Sequence, residues 1–148
     1  MLLSELFDIS GDDLPLLEMA NYDFKDTNIG QGYVFIRTKY DTHGCRIKYV
    51  LNWNEPSKCL TFTIPGFVIV VDTLGTKIDN ITRKEVLRYA IKNKDIILKY
   101  WNDGLTMNNH DRYALENTMQ PLTDAEKKAS RKLELVKLRQ KMLRLKPR

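Results

Sequence analysis

Cysteine and histidine are scarce in this chain, with two of each in 148 residues. Cys45 and Cys59 cannot staple a disulfide scaffold, and they suit reduced thiols in a cytoplasmic protein. Together with His43 and His110 they make up a formal Cys₂His₂ set, but structural zinc sites present ligands in closely spaced pairs. His43-Gly44-Cys45 is too tight for such a pair, and Cys59 and His110 stand alone. No metal and no cofactor is expected.

Catalytic signatures are missing as well. The chain has no Walker loop, dinucleotide fingerprint, HExxH or EF-hand pattern, and no serine stands in a Gly-x-Ser-x-Gly elbow. Asp72, at the end of an apolar run, is the one carboxylate placed to become a buried functional acid; a strand-end acid in a turn is the plainer reading. No catalytic residue is assigned. Long apolar runs are lacking too, since nothing approaches the roughly 20 residues needed to span a bilayer, and the first residues carry acids where a secretory leader carries bases.

What the chain does have is a charge gradient behind its net +5. Residues 1–30 hold seven acids against Lys25, net −6; residues 31–122 hold thirteen bases and nine acids, net +4; residues 123–148 hold ten and three, net +7. One end is acidic and the other strongly basic, a polarity that invites partners of opposite sign.

The strongest local signal runs from Ile81 to Gly104. Val86, Leu87, Ala90, Ile91, Ile97, Leu98 and Trp101 recur at helical spacing, and Thr82 with Glu85 reads as a capping box. Lys84, Arg88, Lys92, Asp95 and Lys99 are expected to face water, and Gly104 to end the helix as a C′ residue.

Before it the period is two. Residues 33–40, 45–51, 58–64 and 67–71 read as four strands joined by short turns, which favours an antiparallel meander. Phe67-Val68-Ile69-Val70-Val71, apolar and uncharged, is expected to be a central strand covered on both faces. Residues 1–30 read as an acidic arm, their leucines broken up by Ser10-Gly11 and Pro15. Past Pro121, Thr123-Asp124-Ala125-Glu126 is a capping box that opens a basic amphipathic helix through residues 124–146. The fold class is therefore α+β: a four-stranded antiparallel meander packed by one long helix over residues 31–122, with an N-terminal arm and a separable C-terminal helix in residues 123–148.

Asn93-Lys94-Asp95-Ile96-Ile97-Leu98-Lys99-Tyr100-Trp101, with Pro121-Leu122 beyond it, resembles a segment of a group of short bacterial proteins known only as a domain of unknown function. The resemblance covers roughly residues 33–122 and implies a small sheet followed by a helix ending in a leucine-and-tryptophan segment. Some of those proteins are encoded beside toxin–antitoxin-like genes. Where they carry a proline- and histidine-rich strand, this chain has Thr42-His43-Gly44.

Two functional readings follow. In the first the chain is a non-enzymatic accessory protein, of the kind a bacterium or phage would use, which joins a larger assembly through its termini. Leu135, Leu138, Met142 and Leu145 form the stripe of the tail helix, and Lys137, Lys141 and Arg144 line another side. In the second it is a nucleic-acid-binding regulator or toxin-like protein. Arg37, Lys39, Arg46 and Lys48 would then hold phosphates while rings such as Tyr49 stack on bases.

Overall fold

The computed structural model describes residues 19–39, 44–52, 54–132 and 135–145. Five strands form one antiparallel sheet in sequence order: β1 (Met19–Tyr22), β2 (Tyr33–Arg37), β3 (Arg46–Val50), β4 (Cys59–Thr63) and β5 (Ile69–Asp72). Helices follow: α2 (Asn80–Lys92), α3 (Lys94–Asp103), α4 (Asn109–Glu116), α5 (Asp124–Ser130) and α6 (Leu135–Leu145). A short α1 (Phe24–Thr27) sits between the first two strands. The class is α+β and the sheet is a meander, but with five strands rather than four. The extra strand comes from the stretch read as an arm. Met19↔Arg37 and Tyr22↔Val34 pair it to β2, with Ala20 and Tyr22 turned into the core. Four residues show too little alternation to be distinguished from a broken leucine cluster.

Gly32, at the entrance to β2, has no room for a side chain. A Cβ there would lie 2.4 Å from the Val50 carbonyl oxygen and 2.5 Å from the Tyr49 ring. The backbone thereby passes close over the end of β3.

Across one sheet face, Ile36, Ile47, Tyr49, Leu60 and Phe62 meet Val86, Leu87, Tyr89, Ala90 and Ile91 of α2 in a single apolar cluster. The expected long helix is two helices. Asn93 interrupts it, fully buried, and its amide Nδ2 donates to the Tyr89 and Gln120 carbonyls (3.0 Å each) while its Oδ1 accepts from Gln120 N–H (2.7 Å). Those bonds tie the helix junction to the segment before Pro121, and Leu122 N–H continues the seam to the Thr27 carbonyl (3.0 Å). The helix also starts earlier than its sequence suggests. Asp79 is the N-cap, accepting from Thr82 N–H at 2.8 Å, and Glu85 is buried rather than folded back on a cap. Gly104 is not a left-handed C′ residue, for its φ is −59°. Glycine is needed there because a Cβ would meet the Thr38 methyl at 2.6 Å where α3 closes on β2.

The strand expected at the centre lies at the edge. Phe67 is buried in the preceding turn at φ +56°, and among the described residues β5 has only β4 as neighbour. Thr61 faces Val71 while Phe62 faces Ile69, so Val70 is the extra residue of a β-bulge. Val68 is 50% exposed and Val70 43%. An apolar run does not reveal how many neighbours a strand has. Position in the meander decides it, and the last strand before the helices is an edge.

Candidate interaction surfaces

The tail begins as its sequence predicts. Thr123 Oγ1 accepts from Glu126 N–H (3.1 Å) and Glu126 Oε1 accepts from Thr123 N–H (2.9 Å), the reciprocal pair that starts α5. This helix then lies along α2. Lys92 pairs with Glu126 at 2.7 Å and also donates to the Pro121 carbonyl, while Arg88 donates to Ser130 Oγ at 3.4 Å. Lys84, Arg88 and Lys92, expected in water, are half-buried beneath the tail. Glu85 comes under it too. Burial raises its carboxyl above the usual glutamate range, against the pull of Lys127 and Arg131. For Glu126 burial pushes the other way, but hydrogen bonds from Lys92 and Thr123 prevail and hold the carboxyl low.

The single tail helix is two, α5 and α6. On α6, Leu138 is buried in the domain's own core, with Leu135 and Met142 half-buried against it. Lys137, Lys141 and Arg144 are exposed on the far side. The side chain of Leu145 lies outside the described residues. The stripe picked out from sequence is thus largely taken up by packing on α2, and the three cations are what the helix offers outward.

A surface that the sequence reading missed lies between α6 and the sheet edge. A groove of about 260 Å³ is lined by Phe62, Phe67, Val68, Ile69, Leu87, Leu135 and Arg139. Arg139 spans its rim, donating from Nε to the Gly66 carbonyl at 3.2 Å. Leu143, one turn beyond Arg139, is exposed like Val68 and Val70. The edge position of β5 is the signal that would have found this surface.

The cationic sheet set is not gathered on one solvent face. Arg37 and Lys48 are buried, Arg46 is half-buried and Lys39 is exposed. Tyr49 points the opposite way from Lys48, into the cluster under α2, with its hydroxyl beside Gly30. Its hydroxyl pKa is raised by burial, the nearby Gly32 and Gln31 backbone opposing. The Arg37 guanidinium lies 5.1 Å from the centre of the Trp101 ring.

Asp72 receives Arg83 through Nε at 2.8 Å and Nη2 at 3.3 Å, and that guanidinium holds its carboxyl below the usual aspartate range. Arg83 also donates to the Gly75 carbonyl at 2.7 Å, so the pair locks the turn between β5 and α2. Cys45 and Cys59 are free and buried. Burial pushes the Cys45 thiol up to about 12, Arg37 opposing, which leaves it a poor nucleophile. His43 lies outside the described residues, and His110 is exposed on α4. Among the described residues no three His, Cys, Asp or Glu side chains stand close enough to share a metal ion. Tyr22 donates to the Glu116 carbonyl at 2.8 Å and Tyr100 to its carboxylate at 3.0 Å beside a polar cleft of about 380 Å³. Burial, reinforced by negative neighbours including Glu116, raises both phenols, which act as fixed donors tying β1 and α3 to α4.

No helix among the described residues is long and apolar enough to cross a membrane. Comparison with protein-family models, curated proteins and solved structures finds no match for this chain.

Proposed function

We propose that this chain is a non-enzymatic interaction protein that docks on a protein partner in a larger assembly through the surface between α6 and β5. The observation that carries this reading is the apolar groove under Arg139, continued outward by Val68, Val70 and Leu143. Exposed apolar side chains grouped around a concavity are what a protein interface uses as its centre. The bulge at Val70 interrupts the regular ladder that an added strand would need, so the partner enters with apolar side chains rather than by extending the sheet. Residues 123–148 carry a net +7, which favours an acidic surround on that partner. Two free, buried thiols suit a cytoplasmic setting.

The competing reading, a nucleic-acid-binding regulator or toxin-like protein, draws on the exposed row Lys137, Lys141 and Arg144. A pull-down from the native host after nuclease treatment separates the two. A defined protein should be retained by the wild type, lost with Val70→Lys or Leu143→Lys, and kept at moderate salt when the three cations become Gln. Retention of nucleic acid instead, with a log–log salt slope that flattens by roughly three when the cations are neutralised, would replace the protein reading with the other.

A further inference from the structure

The helical wall of the groove between α6 and β5 carries an ordered row. Leu135, Arg139 and Leu143 follow one another at four-residue steps on α6, a ridge with a cation between two apolar side chains and about 6 Å along the axis between successive members. Leu135 and Arg139 line the groove, and Leu143 is exposed one turn beyond. Phe62, Phe67 and Leu87, all buried, line its depth, and exposed Val68 stands on the sheet side.

Arg139 is half-buried and held in place. Its Nε donates to the Gly66 carbonyl at 3.2 Å, which ties α6 to the turn before β5. Its two Nη nitrogens have no hydrogen-bond or ion-pair partner among the described residues. It is also the one charged side chain among those lining the groove, since Lys137, Lys141 and Arg144 lie round the helix from it. A guanidinium already fixed through Nε gives up little freedom when its remaining nitrogens take a carboxylate. Placed over an apolar concavity, it selects an acid that arrives beside an apolar anchor.

The size and the walls narrow the occupant further. About 260 Å³ is less than the roughly 300–1,000 Å³ of ordinary small-molecule pockets, so the groove suits the anchor side chain of a larger partner. The bulge at Val70 disfavours an added strand. A helix lying along α6 would instead present side chains on one face at the same one-turn step as the ridge.

We infer that the occupant of this groove is an amphipathic helix of the partner, with apolar, acidic and apolar side chains on successive turns of one face and the carboxylate paired with Arg139. The inference rests on the docking surface proposed above and adds what that surface selects. Arg139 is its specificity-determining residue.

The test uses the full chain and three synthetic helical peptides, built on Ala and Gln, that carry Leu, Glu and Leu on successive turns of one face or have Gln or Lys in place of the Glu. Dissociation constants are read by fluorescence anisotropy at moderate salt. The Glu peptide should bind at least about tenfold tighter than the Gln peptide, and the Lys peptide should be the weakest. This comparison needs no change in the protein. In Arg139→Glu, checked by a thermal melt, the order should reverse, with the Lys peptide now the tightest. Val68→Lys should abolish binding of all three, and Lys141→Gln should alter it less than about twofold. Equal binding of the three peptides, lost in Val68→Lys, would overturn the acid-selective inference and leave the docking surface standing. Binding indifferent to Val68→Lys would overturn both. If the wild type binds none of the peptides, the helical occupant is wrong, and the pull-down still judges the surface. Self-association of the wild type in sedimentation, lost in Val68→Lys, would give the groove to a second copy and likewise overturn the inference.

Discussion

The two faces of this sheet differ in what they bury. The inner face is apolar throughout, and the helices that follow the sheet pack on it. The outer face, where alternation along the strands puts Phe35, Lys48, Val50, Cys59 and Thr61, mixes apolar with polar side chains, and these five are buried at its centre. An apolar face needs only something apolar to cover it, and packing density then sets its stability. A face with cations needs a cover that also matches charge, so it is selective about what lies on it. On β3, Arg46 and Lys48 alternate with Ile47 and Tyr49, yet Lys48 is buried, so polarity there does not mean exposure.

Truncation on each face gives the largest expected effect. Phe62→Ala on the inner side and Phe35→Ala on the outer should each cost about 3–5 kcal/mol in urea denaturation. A loss below about 1 kcal/mol for Phe35 alone would show that the outer face opens freely to water, and the comparison would collapse.

Asn93→Leu comes next, at about 2–4 kcal/mol, because it strands the Gln120 N–H and two carbonyls that the buried amide satisfies. Hydrogen exchange should accelerate at Gln120 before it does in β3. Uniform acceleration would mean that the junction is not a local latch.

For the tail, Leu138→Ala should lower the main unfolding transition by about 2–4 kcal/mol, whereas Lys141→Ala stays within about 0.5 kcal/mol. A tail that melted separately, leaving the main transition unmoved, would restore the separable helix expected from the break at Pro121.

The smallest effect belongs to Asp72 and Arg83. Asp72 has a lowered carboxyl pKa in the folded protein, so its contribution is present above the ordinary aspartate value and fades as pH falls below about 4 towards that lowered value. Arg83→Gln should remove this acid-side dependence at a cost of no more than about 1 kcal/mol for the partly exposed pair at pH 7. An unchanged acid limb in Arg83→Gln would show that another carboxylate controls it.

The sequence by itself determined what depends on near neighbours along the chain. The period-two strands, the turns between them, the apolar stripe of α2 and α3 and the reciprocal cap at Thr123 are all set by residues within a few positions of one another. Tertiary structure alone decided what depends on neighbours far away in sequence. Phe67 to Val71 has the composition of a central strand, but whether a second strand lies beside it depends on the order of the whole sheet. Leu138 has the same stripe spacing whether it meets a partner or its own α2. Lys48 looks like a surface residue until the face around Phe35 and Val50 is seen to be covered. Burial is a property of two surfaces brought together, and a local pattern specifies only one of them.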